Sequence, residues 1–311
     1  MRHEPEKILE GLHNRQTRAI ARAISLVEDN DDAAAFLLSS LDKPSFDRAL
    51  VLGITGSPGV GKSTLTSGLI RHYRSLGKRV GIIAVDPSSP ISGGALLGDR
   101  VRMMGHALDP DVVVRSMATR GRLGGLCAAA GAAVRIMAAA GCSPIIIETV
   151  GVGQSEMDIV RLADVTIMVL APGMGDSIQA MKAGILEVAD LLVINKADCR
   201  GAETLVMDME AALRDQNDAW TSRVVSTVAT EEKGIDELAL AIAGFDVHLR
   251  EAAIRAKRRE ASRRKEIVDW VLEMIKPRLT EELTKSDSLP DEPRAAAKIL
   301  AEKMFTEKQS E

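Results

Sequence analysis

A glycine-rich segment carries the residues best suited to binding a nucleoside triphosphate. The stretch GITGSPGVGKST at residues 53–64 places the pattern Gly-x-x-x-x-Gly-Lys-Ser between a strand-like run and the start of a helical pattern. In that context, glycine N–H groups and the helix N-terminus can surround phosphate oxygens. We expect Lys62 to reach the β- and γ-phosphates, the Ser63 hydroxyl to ligate Mg²⁺ and Thr64 to lie near the α-phosphate. The candidate phosphate-binding residues are Gly56, Ser57, Pro58, Gly59, Val60, Gly61, Lys62, Ser63 and Thr64.

A second motif predicts which base is bound. The stretch VINKAD at residues 193–198 ends another strand-like run with Asn195, Lys196 and Asp198. A carboxylate at Asp198 can accept hydrogen bonds from N1–H and the N2 amino group of guanine, a pair that adenine lacks. Lys196 would lie flat against the base and Asn195 would brace this loop and the phosphate loop, whereas a helix N-cap is the alternative role for Asp198. Together with the phosphate loop, the motif favours GTP over ATP. A backbone contact to the guanine oxygen is expected from Val228, Ala229 and Thr230.

An acidic residue ends the isoleucine-rich run PIIIE at residues 144–148. In many GTPases the strand beside the phosphate loop ends in Asp-x-x-Gly, and here Glu148 and Gly151 occupy the first and last of those positions. Glu148 is expected to reach a Mg²⁺-bound water or the attacking water, and Gly151 to contact the γ-phosphate. We therefore predict Glu148 and Lys62 as catalytic, with Gln154 as a further candidate for orienting water. The alternative for Glu148 is a carboxylate that caps a loop at the sheet edge.

Two long glycine-containing loops could respond to the nucleotide or to a partner. In AVDPSSPISGGALLGDR, Asp86 closes a strand-like run and Asp99 follows a flexible segment, so both could approach Mg²⁺. Such a segment is typically ordered by metal and γ-phosphate and released on hydrolysis, although N-capping remains an alternative for Asp99. In APGMGDSIQAMKAG, Asp176 and Lys182 could belong to a partner-sensing element or to an N-capped helix start with an exposed lysine.

A parallel sheet is the element that would position these groups. The runs VLGIT, VGIIAV, VVVR, PIIIE, VTIMVL, LLVIN and RVVS are continuous rather than alternating, as expected of parallel strands buried on both faces. Amphipathic segments lie between most of them, so the pattern predicts an α/β fold with a doubly wound, mostly parallel sheet flanked by helices. The predicted organisation is a helical extension over 1–45, a nucleotide-binding domain over 46–246 and a second helical extension over 247–311. DKPSFD, residues 42–47, is interpreted as a short linker.

The charge-dense segment 250–266 admits two interpretations. A basic run could bind nucleic acid, but a solvated helix face with i,i+4 pairs such as Glu251–Arg255 is favoured. The apolar face at residues 267–275 could pack on the core or on a second subunit, and self-association is slightly favoured. Arg120 and Arg122 lie beside glycines, and they could contact phosphate, a partner that carries nucleotide, or solvent.

Composition excludes several classes of protein. The 311 residues carry a net charge of −4, which supplies no general phosphate-binding surface for nucleic acid. No run approaches the roughly 18 apolar residues that span a bilayer, and the N-terminus lacks the apolar run of a secretory signal. The three cysteines are far apart, as expected of reduced thiols. A cytoplasmic protein with no nucleic-acid or membrane partner is predicted.

Six segments, in their order along the chain, resemble the MeaB/ArgK family of GTPases associated with methylmalonyl-CoA mutase and its relatives. They are GITGSPGVGKST, AVDPSSPISGGALLGDR, RSMATRGRLGGL, ETVGVGQSE, PGMGDSIQAMKAGI and VINKAD. The resemblance implies a homodimeric P-loop GTPase that acts as a chaperone of adenosylcobalamin-dependent acyl-CoA mutases, gating cofactor loading and protecting the mutase from inactivation. It also implies Mg²⁺ contacts at Ser63, Asp86, Asp99 and Glu148, a guanine contact at Asp198, and a mutase-sensing switch at 172–182.

Two other classes of protein compete with this interpretation. A kinase or transport-associated ATPase of the same fold would need a phosphoryl-acceptor or adenine signature, and none is found in the sequence. A metallochaperone GTPase would be expected to cluster histidines and cysteines, whereas the five histidines here are scattered. Since no arginine finger is evident, we expect slow intrinsic hydrolysis that a cognate mutase accelerates.

Overall fold

A single parallel sheet organises most of the chain. The computed structural model describes residues 3–29, 32–86, 104–106, 108–118, 129–149, 161–173, 189–214, 223–285 and 289–306. Its seven strands lie in the order β3-β2-β4-β1-β5-β6-β7, and every pairing is parallel. The strands are β1 Val51–Thr55, β2 Val80–Asp86, β3 Val112–Ala118, β4 Ile145–Thr149, β5 Val165–Leu170, β6 Leu191–Asn195 and β7 Arg223–Thr227.

The seven predicted strand-like runs are confirmed as these strands. They form because their aliphatic side chains are buried on both faces of the sheet; β1, β5 and β6, for example, are buried along their whole length. Continuous apolar runs of this length cannot alternate between core and solvent, so both faces must be covered. The predicted doubly wound α/β fold is therefore confirmed.

Helices cover the sheet and extend it at both ends of the chain. One apolar core joins Leu52 and Ile54 of β1 to α5 and α8, and a second joins Met168 and Leu170 of β5 to α7. The helices are α1 His3–His13, α2 Thr17–Glu28, α3 Asp32–Ser39, α4 Lys43–Arg48, α5 Lys62–Ser75, α6 Ala129–Ala139, α7 Ala202–Arg214, α8 Ile235–Glu251, α9 Ile254–Lys285 and α10 Pro293–Thr306.

The interpretation of residues 42–47 as a linker is wrong. Lys43–Arg48 forms helix α4, which begins because the Asp42 carboxylate accepts a hydrogen bond from the Ser45 backbone N–H at 3.0 Å. Asp42 thus acts as an N-cap, and Pro44 lies in the first turn, where its missing N–H costs no helical hydrogen bond. The same residue types that suggested a loop are those that start a short helix.

The chain divides into two compact units, residues 1–260 and 261–311. The first contains the whole sheet, while the second contains the greater part of α9 and all of α10. No helix within the described ranges is long and apolar enough to cross a membrane.

The strand order places the carboxyl ends of β1, β4 and β6 along one edge of the sheet, which we call the carboxyl edge. β1 lies at the centre, with β4 on one side and β5 on the other. In open parallel sheets, ligands bind outside this edge, where neighbouring connections diverge to opposite sides.

Candidate nucleotide-binding site

The segment between β1 and α5, residues 56–61, forms a tight loop that depends on glycine. Gly56 has φ +140° and Gly61 has φ +96°, conformations that side chains with a Cβ rarely adopt. A Cβ on Gly56 would lie 2.2 Å from the carbonyl oxygen of Val169, and one on Gly61 would lie 2.3 Å from Nδ2 of Asn195. The loop can therefore approach β5 and β6 only with glycine at these two positions.

Lys62 opens helix α5 and points back along this loop. Its side chain is buried, and Nζ donates hydrogen bonds to the backbone oxygens of Gly56 at 2.7 Å and Ser57 at 3.1 Å. The loop backbone thus holds the ammonium group at the N-terminal end of α5, where the helix dipole also favours an anion. Pro58 and Gly59 of the loop are exposed, and so is Thr64 in the first turn of α5.

Ser63 and Glu148 meet at the carboxyl edge. The register pairs Ile54 of β1 with Glu148 of β4, which brings the carboxylate beside the start of α5. The Ser63 hydroxyl donates a hydrogen bond of 2.5 Å to Oε1 of Glu148. Glu148 is only 3% exposed. A hydroxyl and a carboxylate are hard oxygen ligands of the kind that Mg²⁺ prefers.

The Ser63 hydroxyl and the Glu148 carboxylate suit a magnesium ion, provided that their two oxygens move apart. Two neighbouring ligands of an octahedral Mg²⁺ lie about 2.9 Å apart, given metal–oxygen distances of about 2.0–2.1 Å. The 2.5 Å contact between Ser63 and Glu148 is shorter than this. An ion held by both residues would therefore replace their direct hydrogen bond and move the two oxygens apart.

The structure describes only some of the remaining residues that the sequence predicts as metal ligands or switch residues. Asp86 is the last residue of β2, two positions beyond Ala84, which pairs with Glu148. Within the described ranges, no three His, Cys, Asp or Glu side chains are grouped closely enough to hold a metal ion. Several predicted residues lie outside those ranges: Asp99, Arg120, Arg122, Gly151, Gln154, Asp176 and Lys182.

Asn195 joins the phosphate loop to the loop after β7. Its Nδ2 donates to the Val60 backbone oxygen at 2.8 Å, and its Oδ1 accepts from the Thr227 hydroxyl and the Ala229 backbone N–H, both at 3.1 Å. The side chain is buried, and these three bonds give both its amide nitrogen and its amide oxygen partners within the protein. Asn195 therefore fixes the distance between two segments that are 135 and 34 residues away from it in sequence.

Thr227 is a contributor that sequence reasoning missed. It is the last residue of β7 and pairs with Asn195 in the β6–β7 register. The available signal was the alignment of strand ends, since the final residues of neighbouring parallel strands lie side by side at the carboxyl edge. A buried hydroxyl next to a buried amide then supplies the hydrogen bond that orients it.

Lys196 and Asp198 lie on the exposed side of the same loop. Lys196 has φ +57°, and its Nζ donates to the Gly59 backbone oxygen at 2.9 Å, so it crosses the phosphate loop. Asp198 is exposed two residues further on. The hydrogen bond from Lys233 to Glu231 raises the pKa of Lys233, and the charge of Asp198 acts in the same direction.

Two of the three backbone amides predicted to face the guanine oxygen have partners in the protein. The Val228 N–H donates to the Lys233 carbonyl oxygen at 3.0 Å, and the Ala229 N–H donates to Asn195. Thr230 lies in the short 3₁₀ turn Ala229–Glu231. A base contact from Val228 or Ala229 would therefore require exchange of an existing hydrogen bond.

The chain is similar to known proteins that are described as GTPases. A family model described as "Methylmalonyl Co-A mutase-associated GTPase MeaB" matches residues 20–287. A putative GTPase of Pyrococcus abyssi is 48% identical over 238 residues, which cover 75% of this chain and 73% of that protein. A putative GTPase of Pyrococcus horikoshii is 40% identical over 312 residues, which cover 96% and 98% of the two chains.

A solved structure shares the fold over almost the whole length. It is titled "Crystal structure of LAO/AO transport system kinase", is 26% identical and superimposes with a TM-score of 0.71. The match covers 98% of this chain and 99% of that one. The fold of the chain is thus that of a P-loop NTPase with helical extensions.

Proposed function

The chain belongs to the MeaB family of GTPases, and from this premise we propose that its GTPase cycle serves an adenosylcobalamin-dependent acyl-CoA mutase, either methylmalonyl-CoA mutase or a relative. In this role it gates loading of the cofactor and protects the mutase from inactivation. The chain contacts adenosylcobalamin only through the partner mutase. The observation that carries the proposal is the family match over residues 20–287, which spans the entire nucleotide-binding site.

The reaction converts GTP and water to GDP and phosphate. We assign phosphate binding to residues 56–64, where Lys62 leaves its contacts with the Gly56 and Ser57 carbonyls to meet the β- and γ-phosphates. Ser63 and Glu148 would hold Mg²⁺, with Asp86 and Asp99 as further candidates. When bound, the ion neutralises charge that develops between the β- and γ-phosphates.

Glu148 is the proposed catalytic carboxylate. Its hydrogen bond to Ser63, the other proposed magnesium ligand, supports a role in holding the ion or an ion-bound water. Gln154 is retained as a second candidate for orienting the attacking water, and Gly151 as the γ-phosphate contact. Positioning of water and charge, rather than covalent chemistry, dominates phosphoryl transfer.

Guanine selection is assigned to the loop after β6. Asp198 accepts from N1–H and the N2 amino group, and Lys196 lies along the base where it crosses the phosphate loop at Gly59. Asn195 holds the loops together, and a backbone amide among Val228, Ala229 and Thr230 meets the guanine oxygen. The proposed response to the mutase is assigned to Asp176 and Lys182.

A homodimer is the proposed assembly, formed by the helical unit 261–311. The exposed fractions of five apolar residues in α9 range from 47% to 58%: Ile267, Val268, Val271, Leu272 and Met274. These positions follow a helical spacing and form one broad apolar face. Apolar helix faces of this kind are typically covered by a second helix, and a second copy of the chain supplies one with the same composition.

The test of the proposed function is the rate of GTP hydrolysis with and without a candidate mutase. We expect slow turnover by the protein alone and acceleration by the cognate adenosylcobalamin-dependent mutase, with adenosylcobalamin transfer to the mutase depending on GTP. A rate of GTP hydrolysis that does not change at saturating concentrations of methylmalonyl-CoA mutase and its relatives would contradict the chaperone proposal.

A kinase of the same fold is the second candidate, because the matched solved structure is titled a transport system kinase. This function would require transfer of phosphate to an acceptor other than water. Incubation with labelled ATP and with labelled GTP separates the two candidates. Labelled protein or small-molecule product from ATP, rather than free phosphate from GTP, would favour the kinase.

A further inference from the structure

The solvent-facing side of helix α8 carries an apolar surface. Leu240 is 73% exposed and Val247 is 53% exposed, and Ala243 and Gly244 are exposed between them. These four residues, which we call the α8 stripe, are three or four positions apart and lie along one side of the helix. The opposite side of α8 already packs into the apolar core beside α5. Because a surface helix usually presents polar residues to solvent, the stripe is a second apolar surface that needs an explanation.

Gly244 lies at the centre of the stripe, and no neighbour among the described residues requires glycine there. A Cβ added to it would meet no atom within 4 Å, and the residue lies in the interior of the helix Ile235–Glu251. Glycine is less favourable than alanine inside a helix, because its backbone loses more conformational freedom on folding. A position without a side chain does, however, let another backbone approach closely. Gly244 is therefore suited to a point where a second helix crosses α8.

Charges of opposite sign lie at the two ends of the stripe. Glu237 is exposed and lies three residues before Leu240, whereas Arg250 lies three residues after Val247. The Arg250 guanidinium is 2.9 Å from the carboxylate of Asp246 on the same helix and remains half exposed. Since a guanidinium has five N–H donors, Arg250 can bind a second carboxylate from solvent or from another molecule. The exposed side of α8 thus has an acidic end and a basic end.

The exposed residues are arranged symmetrically about a point between Ala243 and Gly244. If two copies of α8 lie antiparallel with a two-fold axis at this point, Ala243 of each copy faces Gly244 of the other. The leucine of each stripe then faces the valine of the other, and Glu237 faces Arg250. Such self-complementarity is what an isologous contact between identical subunits requires. A parallel pair in register would instead place Glu237 opposite Glu237 and Arg250 opposite Arg250.

The next exposed positions outward limit the extent of this contact. They are Asp236 and Glu251, and the same symmetry would place one acid opposite the other. Asp236 already lies 2.7 Å from Nδ1 of His72 on α5, so its carboxylate has a partner in its own chain. The complementary part of the surface therefore ends at Glu237 and Arg250.

We propose that the α8 stripe is a contact between two copies of the chain, in which two α8 helices lie antiparallel and cross at Ala243 and Gly244. The apolar residues alone would accept many helices, but the placement of one acid and one base at symmetric positions favours a second copy. A single pair of helices buries less than the roughly 1,200–2,000 Å² of a stable interface. The contact is therefore weak by itself and forms at high protein concentration.

Disulfide trapping tests this contact in the full chain. The parent protein carries Cys127→Ser and Cys199→Ser and keeps Cys142, which is buried. Two cysteines can be joined when their Cα atoms are about 4.4–6.8 Å apart, a separation that the crossing allows at residue 243. With Ala243→Cys, we expect mild oxidation to produce linked pairs of chains at least about tenfold faster than with Ala211→Cys, because contact raises the local concentration of the partner thiol.

Ala211→Cys is the matched control, since Ala211 is exposed on α7. Equal rates for the two cysteine variants would overturn the proposal and would leave the stripe to a helix of another protein. The measurement requires neither GTP nor a mutase and uses only residues of unit 1–260. Its failure is therefore distinct from a failure of mutase stimulation or of the proposed homodimer through residues 261–311.

Charge exchange tests the antiparallel register. In the Ala243→Cys protein, Glu237→Arg places arginine opposite Arg250, and Arg250→Glu places glutamate opposite Glu237. Each change should slow trapping by about three- to tenfold at low ionic strength, since exposed ion pairs are individually weak. An equal mixture of the two variants restores both opposite-charge pairs between unlike chains, so it should recover the parent rate. No recovery in the mixture, with both variants still binding GDP, would overturn the antiparallel contact.

Discussion

The hydrogen bond between Ser63 and Glu148 joins two residues that are 85 positions apart and places both functional groups of the proposed magnesium site in contact. Sequence spacing alone indicated each as a candidate ligand, but it could not show that they meet. The contact depends on the β1–β4 pairing, because Ile54 and Glu148 lie opposite each other immediately before the loop. At the residue scale, the two groups therefore meet because the strand order makes β1 and β4 neighbours.

Glu148→Gln tests the proposed role of this carboxylate. The amide keeps the shape of the side chain but loses its charge, so we expect weaker Mg²⁺ binding and a fall in kcat of about 100-fold, in the range found when one charge-stabilising or proton-transferring group is removed. GTP hydrolysis measured across a Mg²⁺ titration checks this. Glu251→Gln, at an exposed position of α8, is the matched control, and an unchanged rate at every Mg²⁺ concentration in Glu148→Gln would contradict the assignment.

Asp198→Asn tests the choice of base. An asparagine can no longer accept from both N1–H and the N2 amino group, but it can donate to the extra oxygen of xanthine. We expect a loss of GTP affinity of about 100-fold or more, since sites built on paired polar groups discriminate strongly, together with a gain in affinity for xanthosine triphosphate. Competition with labelled GDP measures both. Asp208→Asn, on the exposed face of α7, should leave the preference unchanged.

At the element scale, the sheet was the most predictable part of the protein. Its strands are continuous apolar runs, and such runs have few places to lie other than between two layers of helix. The predictions placed β1, β5 and β6 at their observed bounds, and the other four strands differ from theirs by one to three residues at an end.

The ion pairs of Arg255 show what a local sequence pattern could not predict. Residues 250–266 suggested a solvated helix face with i,i+4 pairs such as Glu251–Arg255; most of these residues are exposed, but that pair was wrong. Arg255 is buried and pairs with Asp246 and Asp164, and its burial lowers its pKa. A helical charge pattern is the same whether its partners are neighbours on the helix or aspartates 68 to 95 residues away in sequence, so only the tertiary arrangement distinguishes the two.

Gly56→Ala tests the dependence of the phosphate loop on backbone geometry. The added Cβ would lie 2.2 Å from the Val169 oxygen at a φ of +140°, so we expect a loss of stability of about 1–3 kcal/mol or more and loss of GDP binding. Urea denaturation and fluorescent GDP titration measure the two effects. Gly244→Ala is the matched control, because Gly244 lies in α8 with open space around it and should tolerate or favour alanine. Normal GDP affinity in a Gly56→Ala variant would contradict the expectation.

At the scale of the whole molecule, the two compact units have different characters. The first has an apolar core on each face of its sheet, whereas the second presents exposed apolar side chains along α9. Such a surface is more consistent with assembly than with an isolated helix, since the largest apolar patches on soluble proteins usually mark an interaction site.

The dimer proposal predicts a change in mass on disrupting this face. We expect the wild-type protein to have twice the 33.3 kDa mass of one chain, and a Val271→Lys, Leu272→Lys variant to have the mass of one, because two charges would have to be buried in the interface. Light scattering after size-exclusion chromatography checks both values. Lys276→Glu, an exposed change further along α9, should leave the mass unchanged. A wild-type protein with the mass of one chain would refute the dimer.

The hydrogen bonds of Asn195 have a consequence for how the nucleotide leaves. One side chain joins Val60 of the phosphate loop to Ala229 of the loop after β7, so the two segments proposed to contact the opposite ends of a bound GDP are linked to each other. Opening either segment alone would strain or break a buried amide contact. Dissociation of GDP is therefore expected to require the two segments to open together, and a partner protein that breaks the contacts of Asn195 would be expected to hasten nucleotide exchange.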